Sequence, residues 1–559
     1  MTGRQLTVGR SLMVLAGLAA AGISLPALAG SVAPQPKAGD PLDGLTAMEL
    51  SAFEAGRVQF ERTFTDAEGL GPIFNQNSCA SCHNNPVGGS GSIFVTRFGL
   101  SEKGGFDPLD AFGGSLLQAN AIDEGCLEVV PMFANVTSPR ITSSVLGAGL
   151  VEAIEDADIL FKANNPPAGV SGRAHMVPTL EDNMAPLRPG RFGWKAQLTT
   201  LLSFSGDATL MEMGITNRLV GTENAPNGDA GLLATCDMVA DPEDGPDGMG
   251  LDFIDHVTTF QQLLAAPPQT PRSGMSGETI FNTIGCVDCH TASYTTSTST
   301  NFAPAVRGKT IHPYSDFLLH DMGLAGDFIA QGDAFETEIK TTPLWGVNRR
   351  DPMWHDGRIA GGTFESRMNE AIDLHRAVAS EAAASGNAFF ALSPTDQAKV
   401  IAFLGSLGQD EFDADGDHDR DTDDFLDFKS CYDMGGVISP DDACAIHDID
   451  QDGDADLDDF TLFEQVFEGL LPDCDNDGQS DLREILLGAA DLNGDFIPDF
   501  CCAGNANGDM TVDVDDLNVV LSSFGMSVPQ GSASDLNGDG FCDVDDLNII
   551  LSNFGNACP

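Results

Sequence analysis

Cys79-Ala80-Ser81-Cys82-His83 places two cysteines three apart with a histidine directly after them. This is the spacing that fastens a c-type haem: the thiols add to the porphyrin vinyl groups and the histidine becomes the proximal iron ligand. The same pattern returns at Cys286-Val287-Asp288-Cys289-His290. A single copy could be a redox or zinc dithiol with an incidental histidine. Two copies in one exported chain point to two covalently bound haems.

Export is read from the first residues. Arg4 and Arg10 precede an apolar run from Leu12 to Leu25, and Ala27-Leu28-Ala29 stands before Gly30. That is a Sec-type signal over residues 1–29 with an A-x-A cleavage site, too short for a membrane span. No later segment is apolar enough to cross a bilayer, so the mature chain is expected in the periplasm or at the cell surface. Nine of the 13 cysteines lie outside the haem motifs. In an oxidising compartment they read as disulfides, with at least one left over.

The formal net charge is −57 and is unevenly placed: residues 410–559 hold 39 of the 84 acidic residues and three of the 27 basic ones. Such a surface suits neither nucleic acid nor anionic membrane. Without bound cations it would repel itself and stay disordered.

Residues 46–65 read as a helix carrying Phe53, Phe60 and Phe64, followed by the Gly69-Leu70-Gly71-Pro72 turn into the first motif. Ser276–Phe281 reads as a helix before the second motif. Ser393-Pro394, a cap with proline at the first helical position, starts an amphipathic helix through Leu404 and Leu407. The chain is therefore expected to be mainly α. Two cytochrome-c-like haem domains, 41–270 and 271–408, would be followed by short loop–helix repeats, 410–502 and 503–559.

Several stretches carry a family resemblance: Phe74–Ser78, Arg191–Ala196, Met211–Thr216, Tyr314–Gly323 and His355-Asp356-Gly357-Arg358. Together they resemble the di-haem oxidoreductase family, whose members are labelled peroxidases or thiol oxidoreductases and are related to bacterial di-haem cytochrome c peroxidases. The resemblance covers residues 45–408. It implies a tryptophan between the haems and a carboxylate over the reactive iron, at Trp194 and Glu212. The glutamine that accompanies the carboxylate in the peroxidases has no counterpart here. It also implies that His375, six positions into Glu370–His375, is the sixth ligand of the second haem, opposite His290.

After His83 no histidine occurs before His175, and Met132 is the only methionine in that interval. The first iron is therefore expected to be open, or capped from a distance by His175, Met176 or Met184. His320, Met322 and His355 are haem-pocket candidates or ordinary hydrogen-bonding partners.

Five loops in the tail place oxygen-bearing residues at positions 1, 3, 5, 9 and 12, the coordination pattern of calcium. Four of them are Asp448, Asp450, Asp452, Asp456 and Asp459; Asp473, Asp475, Asp477, Asp481 and Glu484; Asn505, Asn507, Asp509, Asp513 and Asp516; and Asp535, Asn537, Asp539, Asp543 and Asp546. The fifth, from Asp413 to Asp424, puts His418 where a glycine is usual. Asp491, Asn493, Asp495 and Asp499 form a truncated version. The last two full loops are near-copies and resemble dockerin type I repeats, which implies calcium and allows a cohesin-like partner.

These readings converge on an exported di-haem c-type oxidoreductase, peroxidase-like, with calcium as a second cofactor. The second haem would pass electrons from a small redox donor to peroxide or another oxidant at the first. The alternative is a purely electron-transferring cytochrome displayed on a calcium-dependent assembly tail.

Overall fold

Two helices cross at a glycine in each half of the haem-motif region. Ala47–Glu61, started by a Thr46–Glu49 capping box, lies against Phe253–Leu263, and Phe53, Phe60 and Phe260 fill the crossing. A Cβ on Gly56 would come within 2.5 Å of the His256 carbonyl oxygen, so only glycine lets the helices meet this closely. Ser276–Thr283 repeats the arrangement against Pro394–Ser406, around Phe281 and Phe403. There a Cβ on Gly277 would meet the Lys399 carbonyl at 2.0 Å. Each motif thus follows the first helix of a crossed pair.

The computed structural model describes residues 32–558 apart from residues 104, 475, 476, 492, 493, 510 and 531, with only the backbone described at residue 499. The expected signal segment, 1–29, lies outside the described residues, as do Asp475 and Asn493 among the calcium-loop candidates. Among the described residues helix of all kinds, sixteen α-helices included, makes up 34%, with several small sheets. Among the described residues no helix is long and apolar enough to cross a membrane.

A sheet follows the first motif. Phe94–Glu102 is its central strand, antiparallel to Gly105–Asp107, to Leu116–Leu117 and to Val136–Ile141. It brings Arg97 and Arg140 inward. Connections also cross residue 270: Ile154 bridges Thr296, Arg173 bridges Leu319, and Ile141 N–H donates to the His355 carbonyl at 2.8 Å.

The tail has cores of its own. Phe412, Phe425, Phe428, Phe460 and Phe463 are all fully buried and linked in a chain of ring contacts, with His447 among them. Val512, Val520, Cys542 and Ile550 form a second core. Disulfides join Cys126–Cys236, Cys431–Cys444, Cys474–Cys501 and Cys502–Cys558. Cys542 is the odd one, free and buried.

Four tail loops share one construction. The ninth-position aspartate (Asp421, Asp456, Asp513 or Asp543) caps a helix, and the twelfth (Asp424, Asp459, Asp516 or Asp546) folds back, buried, into the loop. Its Oδ1 accepts the N–H of Ala414, Ile449, Ala506 or Asn537 at 2.7–3.1 Å. The loop beginning at Asp473 differs: Ser480 is the cap, and Asp481 folds back to the Cys474 N–H. His418 takes φ +78°, the left-handed backbone that Gly453 and Gly540 adopt at the same loop position, so the unusual residue does not break the turn.

The donor set fits a hard cation. Oxygens of Asp413, Asp415 and Asp424 lie within 4.8 Å of one another, and Asp448 Oδ1 is buried without a hydrogen-bond partner. Carboxylates crowded in this way need neutralising charge. Calorimetry of the full chain is expected to show the tail melting at a markedly lower temperature in EDTA than in calcium. A melting profile that EDTA does not move would contradict the cation requirement.

Candidate functional site

The two motif histidines are oriented alike. Each Nδ1 lies against a carbonyl oxygen, that of Gly89 for His83 (3.3 Å) and that of Tyr314 for His290 (2.9 Å). A carbonyl only accepts, so Nδ1 carries the proton and Nε2 keeps its lone pair for a metal. Burial lowers the pKa of each imidazole to about 4, which keeps both rings neutral. Burial has the opposite effect on the thiols, pushing Cys79 and Cys286 up to about 12 and Cys82 up to about 11.

His375 caps the helix Phe364–Leu374 and donates from Nδ1 to the Ala371 carbonyl at 2.7 Å. Its ring centre stands 6.5 Å from that of His290. Two imidazoles sharing one iron would be spaced similarly, with about 2 Å per metal–nitrogen bond and about 1 Å from each nitrogen to its ring centre. Both rings line a cavity with about 2190 Å³ of empty space, including its open mouth, bordered also by Cys286, Cys289, Phe281, Met368 and Trp354. The residues present fit a haem with two histidine ligands.

The first motif has different company. Glu212, on the helix Leu201–Met213, comes beside Cys82, and its Oε2 accepts from Asn75 Nδ2 at 2.8 Å. Its backbone carbonyl accepts the N–H groups of Asn75 and Gln76, which ties the approach to the motif to this helix. Burial raises the Glu212 pKa, against the lowering effects of Asn75 and Arg97. Arg97 and Asp207 complete the charged group; burial lowers Arg97 to about 10, leaving it cationic at neutral pH. Neither is marked in the sequence, because Arg97 sits in an unforeseen strand.

Of the remote capping candidates, His175 has its ring nitrogens engaged elsewhere. Both His175 nitrogens are used, Nδ1 by the Lys195 carbonyl at 2.7 Å and Nε2 by the Asp333 N–H at 3.2 Å. Met132 and Met184 are exposed, and Met176 lies in a short strand against Pro189.

Between the two motifs runs a chain of aromatic rings. His375 meets Trp354 at 5.2 Å, Trp354 meets His355 at 6.0 Å, and His355 meets Trp194 at 6.3 Å. Trp194 Nε1 donates to the Ile141 carbonyl at 2.9 Å, and two residues on, the Ser143 backbone reaches His83. Trp354 and His355 as links are not evident from sequence, since a Trp-His pair looks like ordinary core.

His320 lies beside Cys289, with Nε2 3.0 Å from Asp316 and Nδ1 3.1 Å from Glu381. Burial alone would lower its pKa, but hydrogen bonds to Asp316, Cys289 and Glu381 override this and raise it to about 12.

Residues 133–407 match the family model described as "Di-haem oxidoreductase, putative peroxidase". No curated protein matches the chain. Among solved structures, "Crystal structure of a MauG-like protein associated with microbial copper homeostasis" is 16% identical, covering 69% of this chain and 95% of that one, with a TM-score of 0.30. A Kuenenia stuttgartiensis hydrazine synthase is 12% identical, covering 73% and 100%, with a TM-score of 0.29.

Two outcomes are expected. His375→Ala should convert one haem from low-spin to high-spin, and an unaltered spectrum would refute the pairing with His290. His320→Gln should lower thermal stability more at pH 6 than at pH 9. A raised histidine pKa stabilises fully below the unfolded value near 6.5, and that contribution is lost as pH rises toward about 12. Equal losses at both pH values would exclude the charged clamp.

Residues 133–407, which hold the second motif, Trp194, Glu212 and His375, match the di-haem oxidoreductase family model, and the chain is an oxidoreductase enzyme.

Proposed function

We propose that the chain is an exported, peroxidase-like di-haem c-type enzyme, in which Cys79, Cys82 and His83 hold the reactive haem. Cys286, Cys289, His290 and His375 hold the electron-feeding one. One asymmetry carries this reading: His290 faces a second imidazole, whereas an enclosed carboxylate, Glu212, stands beside the first motif.

When bound, haem supplies the redox-active iron at which the O–O bond of a peroxide is cleaved. The chain's own groups would manage protons, charge and access. Glu212, made more basic by burial, would take a proton from one peroxide oxygen and return it to the departing oxygen. Overall, two electrons and two protons convert hydrogen peroxide to two waters. Arg97 offers fixed positive charge as negative charge builds on the substrate. Asn75 holds one Glu212 oxygen and so sets the direction in which the other points.

Electrons would enter at the second motif from a small redox donor. The rings of Trp354, His355 and Trp194, continued by Ile141–Ser143, would give them a path of ring contacts, one hydrogen bond and backbone to His83. The cation-binding loops of residues 410–558 would be filled by calcium, which is abundant outside cells and suits all-oxygen sites. Their near-copies at Asn505–Asp516 and Asp535–Asp546 would offer a docking module to a cohesin-like or other surface partner.

Glu212→Gln keeps size and hydrogen bonding but removes the base. It should slow peroxide cleavage by about 10²–10⁴-fold, the usual worth of a positioned acid–base group, with the absorption spectrum of both haems retained. An unchanged rate would remove Glu212 from the reaction.

A further inference from the structure

Three carboxylates converge at a place used by neither the haem sites nor the tail loops. Ligand oxygens of Glu223, Asp241 and Glu243 lie within 4.8 Å of one another. Oxygens bound to one calcium ion at about 2.3–2.6 Å are separated by no more than about 5 Å, so this spacing admits a shared ion. Glu223 is only 8% exposed, its Oε1 accepts the Asn224 N–H at 3.1 Å, and its Oε2 is buried with no hydrogen-bond partner. Among the described residues none of the three carboxylates forms a salt bridge with lysine, arginine or histidine. Asp237 adds further negative charge nearby.

The surroundings supply oxygen rather than nitrogen or sulfur. The Thr216 hydroxyl, fully buried, donates to Glu243 Oε2 and lies 3.3 Å from Asp241 Oδ1. Thr216 N–H also donates to Glu243 Oε2, at 2.8 Å. The frame is rigid: the Cys126–Cys236 disulfide ends one residue before Asp237, and Asp244 N–H donates to the Thr216 carbonyl. All-oxygen donors without histidine or free thiol select a hard divalent cation over zinc or copper.

We propose that Glu223, Asp241 and Glu243 bind a calcium ion that is separate from the tail loops. Its place gives it a structural consequence. Gly69 adopts φ +95°, and a Cβ there would lie 2.5 Å from the Glu243 side chain, so Glu243 rests directly on the turn that leads to the first haem motif. Two residues on, Gly71 N–H donates to the Met213 carbonyl, next to Glu212. The ion therefore fastens the approach to the first motif onto the segment that follows Glu212.

The full haem-loaded chain, stripped with a chelating resin and then saturated with calcium, should bind one more calcium per chain than Glu223→Gln/Glu243→Gln. The variant should keep both haem spectra. Equal calcium counts would overturn the proposal. Since a buried substitution can also disturb folding, the unaltered chain offers a second reading: crystals soaked in terbium should show an anomalous peak among Glu223, Asp241 and Glu243. Peaks confined to the tail loops would overturn it.

Discussion

Asp327 has no exposed side-chain surface and is held between two enclosed cations. Arg140 approaches to 2.6 Å and Lys195 to 2.9 Å. A buried charge costs several kcal/mol to desolvate and persists only when it is paired and hydrogen-bonded. Lys195 meets that condition by also donating to the carbonyls of Phe335, Glu336 and Glu338, and Arg140 by donating to Gln331. Arg140 is followed by Ile141, and Lys195 is preceded by Trp194. The triad joins residues from both sides of residue 270 and holds in place the hydrogen bond from Trp194 to Ile141. The aromatic chain toward His375 begins at that fixed point.

From this anchor the two sites diverge. Both begin with the same local device, a helix crossing at glycine, two cysteines and a histidine whose Nδ1 is tied to backbone. What differs is the far side of each ring. The helix Phe364–Leu374 brings the ring centre of His375 to 6.5 Å from that of His290, whereas His175 has both nitrogens occupied. Near the first motif the sheet and the helix Leu201–Met213 bring Arg97, Asp207 and Glu212 together instead. A closed ligand pair favours electron exchange, while a charged and enclosed site favours bond cleavage with proton transfer.

Much of this is legible in the sequence where the determinants are local. The two motifs, the Thr46 cap, the Ser393-Pro394 helix start and the repeating tail aspartates all act within a few residues of themselves. The sheet is not, because Phe94–Glu102 gains its partners only from Val136–Ile141 and Leu116–Leu117, after intervening loops. Arg97 and Asp327 escape notice for the same reason: a charged residue in a sequence carries no sign that it will be buried against a distant partner. The tail's aromatic core is hidden by its acidic surroundings, since Phe412, Phe428 and Phe460 are scattered singly among aspartates. His418 illustrates the converse, a residue that breaks the usual glycine pattern while adopting the same backbone.

The inequality of the two haem sites is tested most directly by electron paramagnetic resonance of the fully oxidised chain in calcium. One low-spin ferric haem with two imidazole ligands and one high-spin ferric haem are expected. Two low-spin haems, with no high-spin signal and no response to peroxide, would contradict the assignment of the first motif as the site of chemistry.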